Sequence, residues 1–349
     1  MISFTTSSKP KVIYIGSKEI DDHTVEVIKL KEKEAYLIKS LDPDLIVTDS
    51  DDISYLLNVS YNIRKKWILY GNNLHARAVE ASLIKDETLI SIFTSMYNTG
   101  DKIVETYSSL VQQYYQNWEW VIVDDGRDGT STIIKYISRL DPRVKVYSFE
   151  DKSNGNIGEA KYRAAMLCRG NILVELDHDD LLTKDCLSLI RKAFQSNNDI
   201  GFVYSDCVEY NMEDNTNIVY GKSLAFGLAH HYKYESYLPY TVAPLNQLTI
   251  RHIVSVPNHV RAWRSNVYHQ LGGHNRDMRI ADDYELIVRS FLHTKFMYIP
   301  KMLYIQRYDG NNSQNSNDNR NDIQLRVREI VSHYDKDITA RFQELGVED

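Results

Sequence analysis

Apolar residues fall along this chain in short runs separated by charged stretches, and the period of each run says what it forms. Up to about residue 85 the runs cover 12–15, 25–30, 45–48 and 67–70, each the length of one strand. Between the second and third, Ala35, Leu37, Ile38 and Leu41 recur at helical spacing over 31–41, and 51–61 is compatible with another helix. Strands alternating with helices predict a small α/β unit with a parallel sheet. Gly16 stands alone before Ser17 and Lys18, so the unit carries no glycine-rich phosphate loop and its role stays open.

Beyond residue 85 the pattern sharpens. Residues 89–94 read as a buried strand, followed by the loop 95–100; Asp101 then opens a helix with Ile103, Tyr107, Leu110 and Val111 on one face. A strand over 120–123 leads to a helix aligning Ile133, Ile134, Ile137 and Leu140, then to a strand over 144–149. Ala160, Ala164, Leu167 and Cys168 line a further helix that Gly170 stops. A strand over 171–176, a helix from Thr183 bearing Leu187, Ile190 and Phe194, and a strand over 201–205 complete the run. This succession predicts an α/β protein in two parts: residues 1–85 as the small unit, and residues 86–349 built on a mainly parallel sheet flanked by helices. In such sheets ligands bind beyond the carboxyl ends of the strands. Two acidic clusters sit at those ends, Asp124-Asp125-Gly126 and Asp177-His178-Asp179-Asp180.

Composition narrows the chemistry. The 349 residues are 43% hydrophobic, enough for a real core, and the net charge of −7 argues against general nucleic-acid binding. Cys168, Cys186 and Cys207 have neither metal-ligand spacing nor an even number, which suggests free thiols in a reducing compartment. Residues 1–9 lack the basic-then-apolar pattern of a signal peptide, and no apolar run approaches the ~20 residues of a membrane span. A cytoplasmic location without a transmembrane segment is expected.

Asp177, Asp179 and Asp180 crowd together after an apolar strand and repel one another unless something positive neutralises them. A hard divalent cation, Mg2+ or Mn2+, sharing oxygens with substrate phosphates is one solution. A solvated turn with an aspartate capping the next helix is the other. Asp124 and Asp125 divide in the same way, between an Asp-Gly turn and a carboxylate that accepts hydrogen bonds from a nucleobase imide. Tyr97 could stack on such a base. Lys161, between the two clusters, could reach a phosphate or pair with a carboxylate. Asp282 and Asp283 open a helix over 284–291, a placement that the helix dipole favours in any case.

A resemblance over roughly residues 87–313 adds weight to the functional readings. The stretch from Ile90 to Asn98 is similar to the opening strand of the family 2 glycosyltransferases, which have the GT-A fold. Trp118-Glu119-Trp120-Val121-Ile122-Val123-Asp124-Asp125-Gly126 resembles their second strand with its base-binding aspartate. Arg169-Gly170-Asn171-Ile172-Leu173 and Leu176-Asp177-His178-Asp179-Asp180 resemble their approach to the DxD metal motif. Asp282-Asp283-Tyr284-Glu285-Leu286, with Gly272 and Gly273 upstream and Arg289 beyond, looks like the acidic pair that carries their catalytic base.

Carried onto this chain, the resemblance implies that Asp125 and Tyr97 hold the base, with Ser95, Lys161 and Asp177 as further donor contacts. It implies Asp179, with Asp177, as ligands of Mn2+ or Mg2+, and Asp283 as general base. Ser95 stands where the family often has proline, Lys161-Tyr162 replaces a frequent Arg-Asn, and Asp282 replaces a glutamate. After Gln306-Arg307-Tyr308, Asp309 stands where many relatives have histidine; His259 is another candidate, although an ordinary hydrogen-bonded histidine is the more common use of such a residue. The implied activity is an inverting, metal-dependent transfer of a sugar from a nucleotide-diphosphate sugar, a UDP-sugar first of all, to a hydroxyl of a glycan or other acceptor.

Two other classes share parts of this pattern. A nucleotidyltransferase usually carries a glycine-rich basic loop after its first strand, and residues 94–100 contain no lysine or arginine. A non-catalytic nucleotide-sugar-binding protein would not need Asp125, Asp179 and Asp283 together. Acceptor choice is expected in the Tyr- and His-rich region 208–261. The polar stretch 309–321 is expected to form a mobile lid over the donor or else a disordered surface loop.

Overall fold

The computed structural model describes residues 11–15, 26–31, 45–48, 67–69, 88–153, 155–221, 224–252, 256–308 and 317–346. Strands β1 (Lys11–Ile15), β2 (Glu26–Leu30), β3 (Leu45–Thr48) and β4 (Trp67–Leu69) form a four-stranded sheet in the order β2-β1-β3-β4. All its pairings are parallel, as the alternation of runs implied. The helices expected over 31–41 and 51–61 fall outside the described residues, apart from Lys31.

The second sheet has nine strands. β5 (Ile90–Met96), β6 (Trp118–Asp124), β7 (Val144–Tyr147), β8 (Ile172–Glu175), β9 (Leu181–Leu182), β10 (Ile200–Asn211), β12 (Arg261–Arg264) and β13 (Lys295–Tyr308) run in the order β7-β6-β5-β8-β12-β10-β13-β9, while the short β11 (Thr216–Asn217) pairs with β10. Strands β5 to β8 are parallel, as are β10 and β13, and β12 runs against both β8 and β10. The fold is a mixed α/β, mostly parallel sheet between helices.

Continuous apolar strands are needed because this sheet is covered on both faces. Successive side chains point to opposite faces. Ile92, Ile122 and Val174 accordingly join one buried cluster, while Phe93, Val123 and Leu173 join the other. Helices α1 (Lys102–Val111), α2 (Thr130–Leu140), α3 (Ile157–Met166) and α4 (Cys186–Ser196) turn in apolar faces: Ile103, Tyr107, Leu110 and Val111 on α1, Ile134 and Ile137 on α2, Leu187, Ile190 and Phe194 on α4, and Ala160 and Ala164 on α3, which ends before the expected Leu167 and Cys168. β9 intervenes after Asp180, so α4 starts at Cys186 rather than Thr183.

The last third departs further from the expected pattern. After the short helices α5 (Gln247–His252) and α6 (Ser265–Gln270), α7 (Asp282–His293) carries the acidic pair at its first turn. A 28-residue helix α8 (Asn317–Glu344) then packs Val327, Ile330, Ile338 and Phe342 with Tyr284, Val288 and Phe291 of α7. The lid expected over 309–321 is therefore corrected in part: from Asn317 onward the chain is helix, and 309–316 lie outside the described residues. Tyr334 donates to Glu285 at 2.9 Å and Arg251 of α5 meets Asp335 at 2.7 Å, so α8 braces the helix that bears Asp283. Among the described residues no helix is long and apolar enough to cross a membrane.

Candidate active site

The end of β8 and the start of α7 bring acidic residues together around Lys161 and Arg261, and the loop after β5 is tied to them through Thr99 and His178. Beyond β5 and β6 lies the first part. Gly126 is required there, since a Cβ on it would come within 2.8 Å of the Asn98 backbone nitrogen. Asn98 is itself left-handed (φ 47°) and accepts from the Arg127 N–H at 2.9 Å. The two loops are thus locked edge to edge, with Tyr97 projecting at 61% exposure and Ser95 half-buried behind it. Asp124 turns inward and accepts from the Gly126 N–H at 3.1 Å and from the Ser131 hydroxyl. Asp125 is half-buried; it accepts from the Ser153 N–H at 3.0 Å and from the Ser153 hydroxyl. The Asp-Gly turn bond expected of this pair falls to Asp124, while Asp125 is the less buried of the two.

At the end of β8 the chain passes from Glu175 into the aspartate cluster. Asp180 is buried; its two oxygens accept from the Arg307 N–H at 2.7 Å and the Tyr304 hydroxyl at 2.8 Å. Burial raises its carboxyl well above the usual range, and Asp179 and Asp177 add to that. Asp177 and Asp179 are the more open pair, with side chains 33% and 15% exposed. Asp179 faces Lys102 at 3.7 Å and His178 at 3.6 Å, and the Arg307 guanidinium donates to its backbone carbonyl. His178 in turn meets the Thr99 hydroxyl at 2.9 Å, which ties this loop to the one after β5.

The third part joins β12 and α7 to β8. Antiparallel register sets Arg261 opposite Glu175, and its guanidinium lies 3.1 Å from Glu175 and 2.8 Å from Oδ2 of Asp283. Lys161 of α3 is buried, 2.6 Å from Glu175, 3.7 Å from Asp282 and 3.9 Å from Asp177. Burial would lower the Lys161 ammonium, but Asp282 and Glu175 outweigh it and keep the charge. Of the two roles open to Lys161, phosphate contact or carboxylate pairing, this geometry displays the pairing.

The acidic pair at the start of α7 is split by environment. Burial raises the Asp282 carboxyl, with Asp283 adding to it against Lys161. Burial acts on Asp283 in the same sense, yet Arg261 and Lys161 overcome it and hold that carboxyl below the usual range. Asp283 is also the open one, 29% exposed against 4% for Asp282. Upstream, Gly272 and Gly273 are both left-handed (φ 81° and 70°), and a Cβ on Gly273 would come within 2.8 Å of the Tyr268 ring.

Glu175, Arg261 and His274 escaped the sequence reading. His274 Nε2 lies 3.5 Å from Glu175 and 3.7 Å from Asp282, with Nδ1 2.7 Å from the Tyr268 hydroxyl. One signal was present: Glu175 is a charge inside an otherwise apolar strand, and a buried charge needs partners. Arg261 stands in no motif, and only the pairing of β12 with β8 brings it in.

The residues present suit a divalent cation. Glu175, Asp177, Asp179, Asp180, Asp282 and Asp283 outnumber the cations that face them, Lys102, Lys161, Arg261 and Arg307. Asp177 and Asp180 also hold oxygens within 4.8 Å of a ring nitrogen of His259. Asp309 lies outside the described residues.

Comparison with known proteins agrees with this architecture. Residues 91–255 match the model of Glycosyl transferase family 2. The hyaluronan synthase of Pasteurella multocida is 27% identical over 236 residues, which cover 67% of this chain and 22% of that protein. The chondroitin synthase of Escherichia coli is 26% identical over 236 residues, 67% of this chain and 31% of that protein. The chain thus spans less than a third of the length of these curated relatives. The crystal structure of S. aureus TarS 1-349 in complex with UDP-GlcNAc superposes with a TM-score of 0.53 at 16% identity, over 72% of each chain, which bears on the fold alone. With the strand order, the acidic strand ends and the family match in agreement, residues 91–255 resemble glycosyl transferase family 2 and the fold is of the GT-A type.

Proposed function

We propose that the chain transfers a hexosyl residue from a nucleotide-diphosphate sugar to a hydroxyl acceptor, with inversion and with Asp283 as general base. The observation that carries this reading is the split between the paired aspartates: Asp283 is open and held ionised by Arg261, while Asp282 is buried and raised. A hydroxyl is a poor nucleophile at neutral pH, so an ionised carboxylate must take its proton as the new bond forms. Environments that push two neighbouring carboxyls apart mark such an assignment. A single displacement from the face opposite the leaving diphosphate inverts the anomeric centre.

Asp125 fits the single imide N–H of uracil once Ser153 yields, and exposed Tyr97 offers a face for stacking, which favours a UDP-sugar donor. Asp177 and Asp179, the open carboxylates of the cluster, would hold Mn2+ or Mg2+ against the diphosphate. Such a cation would supply Lewis-acid charge to the departing group. Lys161 acts in this reading as the buried counter-charge that keeps Asp177 and Asp282 side by side. The matches to proteins named hyaluronan synthase and chondroitin synthase support a glycan acceptor. Three free cysteines suit a reducing, cytoplasmic setting.

A screen of nucleotide-sugar hydrolysis and transfer, with Mn2+ and with excess chelator, tests the reading. It expects turnover with at least one UDP-sugar, abolished by chelation and by Asp179→Ala in a variant that keeps its fold. Undiminished turnover in chelator would overturn the metal dependence. A lack of turnover with every donor, alongside tight nucleotide binding, would favour a binding protein.

A further inference from the structure

His259 stands just before β12, 2% exposed, with its ring flat on that of Tyr304 at 4.0 Å and 7°. Its Nδ1 is buried and has no hydrogen-bond partner. An unmatched buried polar atom costs about 1–3 kcal/mol, so such an atom calls for an explanation. Burial, and then the nearby Arg261 charge, keep the ring neutral, the form that binds metals. Among the described residues it forms, with Asp177 and Asp180, a group whose ligand atoms all lie within 4.8 Å of one another.

We propose that His259 is a direct nitrogen ligand of the divalent cation, completing a site with Asp177 and Asp180; this rests on the metal dependence proposed above. The surroundings are built for it. The Tyr304 hydroxyl and the Arg307 N–H each hold one oxygen of Asp180, which fixes the carboxylate and leaves further lone pairs for a cation. The Tyr304 ring also fixes the plane of His259, so one side chain orients two ligands, as outer partners of metal ligands do. Asp179, the ligand proposed above, faces Lys102 and His178 on the open side of the cluster, so His259 and Asp180 supply the buried side of the same site. A mixed nitrogen and oxygen set favours Mn2+ over Mg2+, which prefers oxygen alone.

Pulsed electron paramagnetic resonance of the full chain loaded with Mn2+, alone and with UDP, tests this directly. A directly bound imidazole gives nitrogen modulation, which the wild type should show, His259→Ala should lose and His178→Ala should keep. His259→Ala should also weaken Mn2+ binding by about tenfold or more, since loss of even an outer-shell partner costs 10–100-fold. Mn2+ binding without nitrogen modulation would overturn the role of His259 and leave the metal dependence standing. Modulation that vanishes in His178→Ala instead would move the ligand to His178. No Mn2+ binding under either condition would sink both readings. Should His259→Ala fail to fold, His259→Phe, which keeps the stacking on Tyr304, replaces it; modulation that survives in that variant would overturn the proposal.

Discussion

Arg261 reaches Asp283 across 2.8 Å from a strand that runs against its neighbours, and the same guanidinium lies 3.1 Å from Glu175. The antiparallel course of β12 thereby sets the charge state of a side chain on α7. The start of a helix does not by itself fix the charge state of Asp283; its cation comes from the register between β12 and β8.

Asp283→Asn keeps the size and much of the hydrogen bonding of the carboxylate but cannot accept the proton. Turnover should fall by ~10²–10⁴ with donor binding nearly intact. Asp282→Asn should act differently, since Asp282 is buried beside Lys161 and its loss alters packing and charge balance. Turnover and calorimetric donor affinity of both variants check this, and an active Asp283→Asn with an inactive Asp282→Asn would reverse the assignment.

Arg261→Met should shift the pH profile. Arg261 holds Asp283 below the usual carboxylate range against a burial that raises it, so without the cation the carboxyl rises. The base must be ionised, so the acid limb of kcat/KM should move to higher pH, and Arg261→Lys should restore part of the shift. Stripping a buried pair of one partner also destabilises by about 3–5 kcal/mol, readable by denaturant unfolding. An unmoved acid limb in a folded variant would remove Arg261 from this role.

Asp125→Ala should weaken UDP binding while altering the chemical step less. A lost charge-assisted hydrogen bond is worth about 1.5–3 kcal/mol, roughly ten- to over a hundredfold in affinity. Titration calorimetry measures it. An unchanged affinity would place the base elsewhere.

Phe342→Ala tests the brace behind the site. Phe342 is 1% exposed and its ring lies 4.8 Å from that of Phe291 on α7. Truncating a buried phenylalanine costs about 3–5 kcal/mol. Thermal unfolding should show the loss, and kcat should fall with it as α7 loosens. Full stability would mean that α8 packs independently of the site.

The parallel half of the sheet was legible in the sequence because its inner strands β5, β6 and β8 are buried on both faces and so are mainly apolar. The helices α1, α2, α3 and α4 were legible for the complementary reason, since one buried face forces a helical period in residues such as Ile103, Tyr107 and Leu110. The acidic clusters could be placed at strand ends from the same pattern. What the sequence could not decide was partnership. Asp124 and Asp125 are chemically alike, and only the fold decides that one is buried on Ser131 and the other half-buried on Ser153. Asp282 and Asp283 differ because Arg261 lies on one side of the pair, and Lys161 became a buried counter-charge through contacts with Glu175, Asp177 and Asp282. These contacts join residues far apart in the chain, and neither period nor propensity carries information about them. The sequence determined which residue types stand at the strand ends and how the apolar faces are spaced. The tertiary structure decided which charges meet, because Coulomb interactions depend on distance in space, and that distance is set by sheet register and helix packing.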